Sequence, residues 1–176
     1  MLLVKKDIEK MIENGLLVKN LIDKKMQIQQ CGVDLTVAKV FSFQGDGCLD
    51  FSNERRRLPE YVEIEPEKDG DEEYWILEPG TYHIAINEII NLPNDIAALL
   101  LPRSSALTCG IVQHSALWDP GYHGRSFFHV DVTRRVKIYK NARIGQMVFF
   151  KLPEETEAYN GIFKGEDVTR NAKRGK

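Results

Sequence analysis

Residues 100–124, LLPRSSALTCGIVQHSALWDPGYHG, hold two polar clusters whose residue types suit chemistry on a phosphate. Arg103 is followed at once by Ser104 and Ser105, a planar guanidinium fork beside two small hydroxyl donors, the set that matches phosphate oxygens. The same three residues also read as a serine-rich helix cap with an exposed arginine. Asp119 lies between Trp118 and Pro120 at the end of an apolar run, where a carboxylate can face a partly dry cavity and serve as general base for a water. Asp-Pro-Gly is equally strong turn chemistry, and the residues alone favour the turn. Tyr122 and His123 stand between Gly121 and Gly124, so that an aromatic ring there is able to approach a flat ligand closely; a core tyrosine is the plain alternative. The chain has no G-x-x-x-x-G-K-S/T phosphate loop, no H-x-E with P-C-x-x-C and no H-E-x-x-H, so Asp119 has no zinc motif to serve.

The elements that position these clusters are mostly strands. Asp7 is expected to cap a short amphipathic helix with Ile8, Met11 and Ile12 on one face and Gly15 at its end. The period then changes, and Val33, Leu35 and Val37 alternate with Asp34, Thr36 and Ala38 as a half-buried strand requires. Residues 44–73, with Gly45, Gly47, Pro59, Pro66, Gly70 and the run Glu54, Arg55, Arg56, Arg57, read as a surface excursion rather than a second domain. Apolar runs at 74–77, 82–86, 96–101, 126–132, 136–139 and 147–151 are spaced as in a sandwich or barrel. Residues 1–153 are expected as one domain and 154–176, polar and carrying Gly161, Lys164, Gly165, Arg170, Lys173, Arg174 and Gly175, as a flexible tail.

Composition narrows the function classes. With 176 residues, 43% of them hydrophobic and 28% charged, the chain has the make-up of one ordinary soluble domain. A net charge of −2 provides no global field for a nucleic-acid polymer, so a small anion would need locally placed cations. No window approaches the roughly 20 apolar residues of a membrane span. Cys31, Cys48 and Cys109 are odd in number and lack a C-x-x-C pair, as in reduced cysteines of a cytoplasmic protein.

Taken together, these segments resemble the archaeal dUTPases and the related dCTP deaminases over nearly the whole chain. LLVKKDIEKMIENGLLV with IQQCGVDLTV is similar to the N-terminal helix and first motif, and WILEPGTYHIAINEIINLP to the segment before the second. PRSSALTCGI, WDPGYHG and ARIGQMVFFKL resemble the second, third and fourth motifs in order and spacing, and YNGIFKGEDVT looks like a degenerate form of the C-terminal segment that folds over the triphosphate. The resemblance implies a mostly β, distorted β-barrel or jelly-roll fold with a short N-terminal helix, assembled as a homotrimer whose sites draw on neighbouring subunits. It implies that Arg103, Ser104, Ser105 and Gln146 hold phosphates, that Lys164 and Gly165 add contacts from the tail, and that Asp119 activates the attacking water. It further implies that Tyr122 packs under the deoxyribose near Gly124, excluding a 2′-hydroxyl, and that Asp34 orders water around a bound Mg²⁺.

The family's two chemistries demand different residues. The resemblance implies that deamination needs a glutamate ten residues after the third-motif aspartate and an arginine three residues after the second serine; here those positions are His129 and Thr108. Losing both removes a proton carrier whose acid–base contribution is worth ~10²–10⁴-fold. The expected activity is therefore hydrolysis of dUTP to dUMP and diphosphate with Mg²⁺. A dCTP deaminase is the first alternative. A deoxynucleotide-binding protein without catalysis is the second, kept open by Thr108, His129 and the Gly124-Arg125-Ser126 sequence after the third motif.

Overall fold

Short apolar runs and the turns between them build the computed structural model, which describes residues 1–169. The chain opens with α1 (Lys5–Glu13), β1 (Leu17–Lys19), the single turn α2 (Lys24–Gln27) and the long strand β2 (Val33–Gln44). β3 (Glu60–Ile64), β4 (Glu67–Asp69), β5 (Glu72–Leu77), β6 (Gly80–Ile86) and β7 (Ile89–Asn91) follow. β8 (Ile96–Pro102) leads into the short helix α3 (Ser104–Thr108) and then β9 (Ile111–His114). β10 (His123–Gly124), β11 (Phe127–Val132), β12 (Val136–Tyr139) and β13 (Arg143–Lys151) complete the order.

The main sheet runs β8-β13-β2-β6-β11-β9, with β3 added on β2; β1-β7-β10 and β12-β5-β4 form two smaller sheets. The two ends of the main sheet meet. Four residues after β9, Trp118 forms a bridge with Ala98 in the middle of β8, and the Leu100 amide donates to Ser115 Oγ at 3.0 Å. These ties nearly close the sheet into a barrel, in agreement with the mostly β, barrel-like expectation. Leu35, Ile84, Ile86, Leu100, Met147 and Phe149 are among its fully buried side chains.

Two local expectations are corrected. Asp7 does not cap α1: Val4 is the N-cap, without a side-chain bond, and Asp7 lies inside the first turn, where its charge complements the helix dipole. Ile8 and Ile12 face the core as expected. β2 is not half-buried at its start, since Val33 to Val37 are buried on both faces. The polar face is covered because it meets a polar partner. Fully buried Glu88 accepts from Thr36 N at 3.1 Å, Thr36 Oγ1 at 2.6 Å and Gln27 Nε2 at 2.6 Å. Burial pushes the Glu88 carboxyl above its usual range, and the donors only partly offset this.

The excursion at 44–73 leaves Glu54, Arg55 and Arg57 exposed but also supplies β3, which pairs with β2 from Val40↔Ile64 to Gln44↔Glu60, and β4. Beyond β13 the chain lies along the body as far as Thr169, with Val168 only 3% exposed. The end of the expected tail, with Arg170, Lys173, Arg174 and Gly175, lies outside the described residues. No helix among the described residues is long and apolar enough to cross a membrane.

Candidate active site

β8 delivers Arg103 to the end of the sheet, and α3 starts directly after it. No side-chain hydrogen bond caps that helix, so Ser104 and Ser105 are not spent as caps, and both are exposed. Thr108 is spent: its hydroxyl donates to the Ser104 carbonyl at 3.0 Å, one turn back.

The Arg103 guanidinium is held on two sides. Its Nε lies 3.1 Å from Asp34 Oδ2, and its Nη1 donates to the Arg143 carbonyl at 2.7 Å. Asp34, 1% exposed, also accepts from Gln146 Nε2 at 3.1 Å and from Arg143 Nη1 at 3.2 Å. Strand register makes this cluster, because β13 pairs with β2 so that Gln146 lies opposite Asp34. Arg143 was not singled out in the sequence. Its only signal was a basic residue at the head of the fourth-motif strand.

Asp119 lies elsewhere. The Tyr122 amide donates to its carbonyl at 3.1 Å, closing a tight turn over Pro120 and Gly121, and Gly121 takes φ +75°, which a side chain would strain. The turn reading of Asp-Pro-Gly therefore holds for the backbone, while the side chain is left to line a cavity of about 370 Å³. Trp118, Tyr122, Phe127, Phe128, Tyr159 and Phe163 supply its apolar walls. Tyr122 is 4% exposed, with its ring 5.7 Å from that of Tyr159. Gly124 permits close approach: a Cβ there would come within 2.9 Å of the Glu166 carbonyl and 3.0 Å of the Tyr122 hydroxyl.

The segment after β13 completes this cavity. Tyr159 N donates to Pro120 O at 2.8 Å, Gly165 N to His123 O at 2.7 Å, and Arg125 N to Glu166 O at 2.7 Å. Lys164 is exposed in the turn between these anchors.

Three histidines form a cross-strand row on the cavity wall, missed in the sequence because they lie far apart in it. His129 on β11 is directly opposite His83 on β6 and His114 on β9. His83 packs against Phe127 with ring centroids 4.1 Å apart, and its buried Nδ1 finds no partner among the described residues. Burial, with His129 nearby, lowers its pKa to about 3. Burial also lowers His129, although Asp131 pulls the other way. His83 thus presents a neutral imidazole to the cavity at neutral pH.

Within one chain the two clusters are separate. Arg103, Ser104, Ser105 and Gln146 do not line the cavity that holds Asp119. Trp118 is bridged to Ala98, five residues before Arg103, and five residues of strand span roughly 16 Å.

Asp34 is poorly placed to bind a metal ion directly, whereas the role expected of it, ordering water around a bound Mg²⁺, is an indirect one. Both of its oxygens are engaged by amide or guanidinium donors, and it is almost wholly buried. Mg²⁺ requires octahedral oxygen ligands and keeps most of its waters. Among the described residues, no three His, Cys, Asp or Glu side chains are grouped as a metal site would require.

Comparison with known proteins places these features. A family model described as dCTP deaminase-like matches residues 2–152. The chain is 44% identical over 150 residues to the deoxyuridine 5′-triphosphate nucleotidohydrolase of Methanocaldococcus jannaschii, covering 84% of this chain and 94% of that one. It is 39% identical over 165 residues to the probable deoxyuridine 5′-triphosphate nucleotidohydrolase of Archaeoglobus fulgidus, covering 92% and 95%. Among solved structures it is similar to a 2′-deoxycytidine 5′-triphosphate deaminase from Agrobacterium tumefaciens, with TM-score 0.62 and 18% identity over 84% of this chain and 47% of that one. At that identity the likeness is one of fold.

Proposed function

We infer the activity from this premise: the chain belongs to the dCTP deaminase-like family. Of the chemistries the fold hosts, the site supports hydrolysis of dUTP to dUMP and diphosphate. The observation that carries this reading is the cavity itself, where Asp119 is joined by His129 at the position deamination would give to a glutamate. Thr108 stands where the resemblance gives deamination an arginine, so both side chains that chemistry would use are replaced here.

In this reading Asp119 accepts a proton from a water as the water oxygen bonds to the α-phosphorus. The bond from that phosphorus to the bridging oxygen breaks, and diphosphate leaves with the electron pair. Arg103, Ser104, Ser105 and Gln146 hold the phosphates by charge-assisted and neutral hydrogen bonds, with Lys164 and Gly165 contributing from the strap that closes the cavity. Tyr122, beside Gly124, packs under the deoxyribose and leaves no space for a 2′-hydroxyl. Mg²⁺ enters as the counter-ion of the triphosphate, part of the substrate complex rather than a ligand of Asp34.

The separation of Asp119 from Arg103 supports a homotrimer in which one subunit supplies the cavity and its neighbour the phosphate clamp. The unpaired thiols of Cys31, Cys48 and Cys109 support the cytoplasm as its compartment.

The test is a panel of deoxynucleoside triphosphates, assayed with Mg²⁺ for diphosphate and for ammonia. Diphosphate from dUTP is expected, abolished in Asp119→Asn while assembly survives. Ammonia from dCTP would make the protein a deaminase, and tight dUTP binding without turnover would make it a silent binding protein.

A further inference from the structure

Two guanidinium groups share one buried carboxylate at the phosphate end of the site. Arg103 Nε lies 3.1 Å and Arg143 Nη1 3.2 Å from the same oxygen, Asp34 Oδ2, while Gln146 takes Oδ1. Asp34 balances only one of the two charges, so the cluster keeps a local excess of one positive charge in a chain whose net charge is −2.

The cluster is also open on one side. Asp34 is 1% exposed, but the Arg103 and Arg143 side chains keep 30% and 27% of their surface. Arg103 spends Nε and Nη1 on protein acceptors, and Arg143 uses Nη1 for Asp34 and the Met26 carbonyl. Each guanidinium carries five N–H donors, so both have donors left for an anion. The exposed hydroxyl residues Ser104 and Ser105 adjoin Arg103 directly.

We propose that Arg143 is a second phosphate-binding residue of this site, and that Asp34 is the positioning residue that sets the two guanidiniums side by side. Without the carboxylate between them, two like charges at this spacing repel and their side chains splay. A divalent cation at Asp34 would have to displace three donors and face both guanidiniums, so the carboxylate orients cations of the protein rather than recruiting one from solution. The proposal rests on the phosphate role given to Arg103 above.

The test uses inorganic triphosphate, titrated calorimetrically into the intact protein without metal, so it reads anion binding whether or not dUTP is turned over. Arg143→Gln is expected to weaken binding about tenfold with an unchanged unfolding temperature, and Arg143→Lys, which keeps the charge but not the fork, to fall between. Unchanged affinity in Arg143→Gln, or a loss matched by a lowered unfolding temperature and absent from Arg143→Lys, overturns the proposal. For Asp34, the Mg²⁺ concentration giving half-maximal dUTP hydrolysis should be the same in Asp34→Asn as in the unaltered protein, while the KM for dUTP rises. A several-fold rise in the required Mg²⁺ would show that Asp34 serves the metal and would overturn that half of the proposal. If the unaltered protein binds triphosphate but hydrolyses no dUTP, the activity reading fails and the anion site stands.

Discussion

Arg103 and Asp119 sit at different levels along one strand: Arg103 follows the end of β8, whereas Asp119 is anchored beside its middle by the bridge between Trp118 and Ala98. A guanidinium and a carboxylate proposed to act on one substrate are thus held apart along that strand. The strand is paired along its whole length with β13, from Ile96 to Pro102. In the arrangement proposed above, a second copy of the chain would bring the two groups together without deforming either.

Tyr122 is expected to set sugar selectivity. It is 4% exposed and lines the cavity beside the close-packed Gly124. Replacing it by leucine should open space for a 2′-hydroxyl and lower the preference for dUTP over UTP by roughly 10–200-fold, the range that one apolar contact commands. Competition assays with the two triphosphates measure the ratio; an unchanged ratio places the sugar elsewhere.

Acid should destabilise the protein through His83. Burial lowers this imidazole from its ordinary 6.5 to about 3, so the fold favours the neutral ring. Stability from this source is complete above pH 6.5 and is lost as pH falls toward 3. His83→Phe should keep the packing against Phe127 and Phe43 and flatten the fall in unfolding temperature between pH 7 and pH 4. Equal slopes for the two proteins would remove His83 as the cause.

Much of the fold was legible because apolar runs mark buried strands whatever they pair with. Residues 136–139 were read as one of the short apolar runs and form β12 with those bounds. The Arg-Ser-Ser and Asp-Pro-Gly-Tyr segments were legible as clusters because each is contiguous in the chain. What sequence could not supply was register. Arg143 joins Asp34 only because β13 pairs with β2, and His83, His114 and His129 align only through the pairing of β6, β11 and β9. The expected half-exposed face of β2 failed for the same reason: Thr36 meets Glu88, which is distant in sequence and reached across the fold.

That buried network is expected to carry stability. Glu88→Ala leaves the Thr36 amide, the Thr36 hydroxyl and the Gln27 amide without their acceptor in a region closed to water. The cost should be about 3 kcal/mol, with little effect on KM in the fraction that remains folded. Chemical denaturation checks the first and steady-state kinetics the second; a loss under about 0.5 kcal/mol would mean that water reaches these donors.

The shared site is tested most directly by complementation. Arg103→Ala and Asp119→Asn chains, each inactive alone, are co-expressed and purified as mixed assemblies. If each site takes its carboxylate from one subunit and its guanidinium from the next, random mixing leaves about one quarter of sites intact, and dUTP hydrolysis should return to about that fraction. If mixed assemblies form and stay as inactive as either variant alone, both groups act within one chain, and the arrangement described here is wrong.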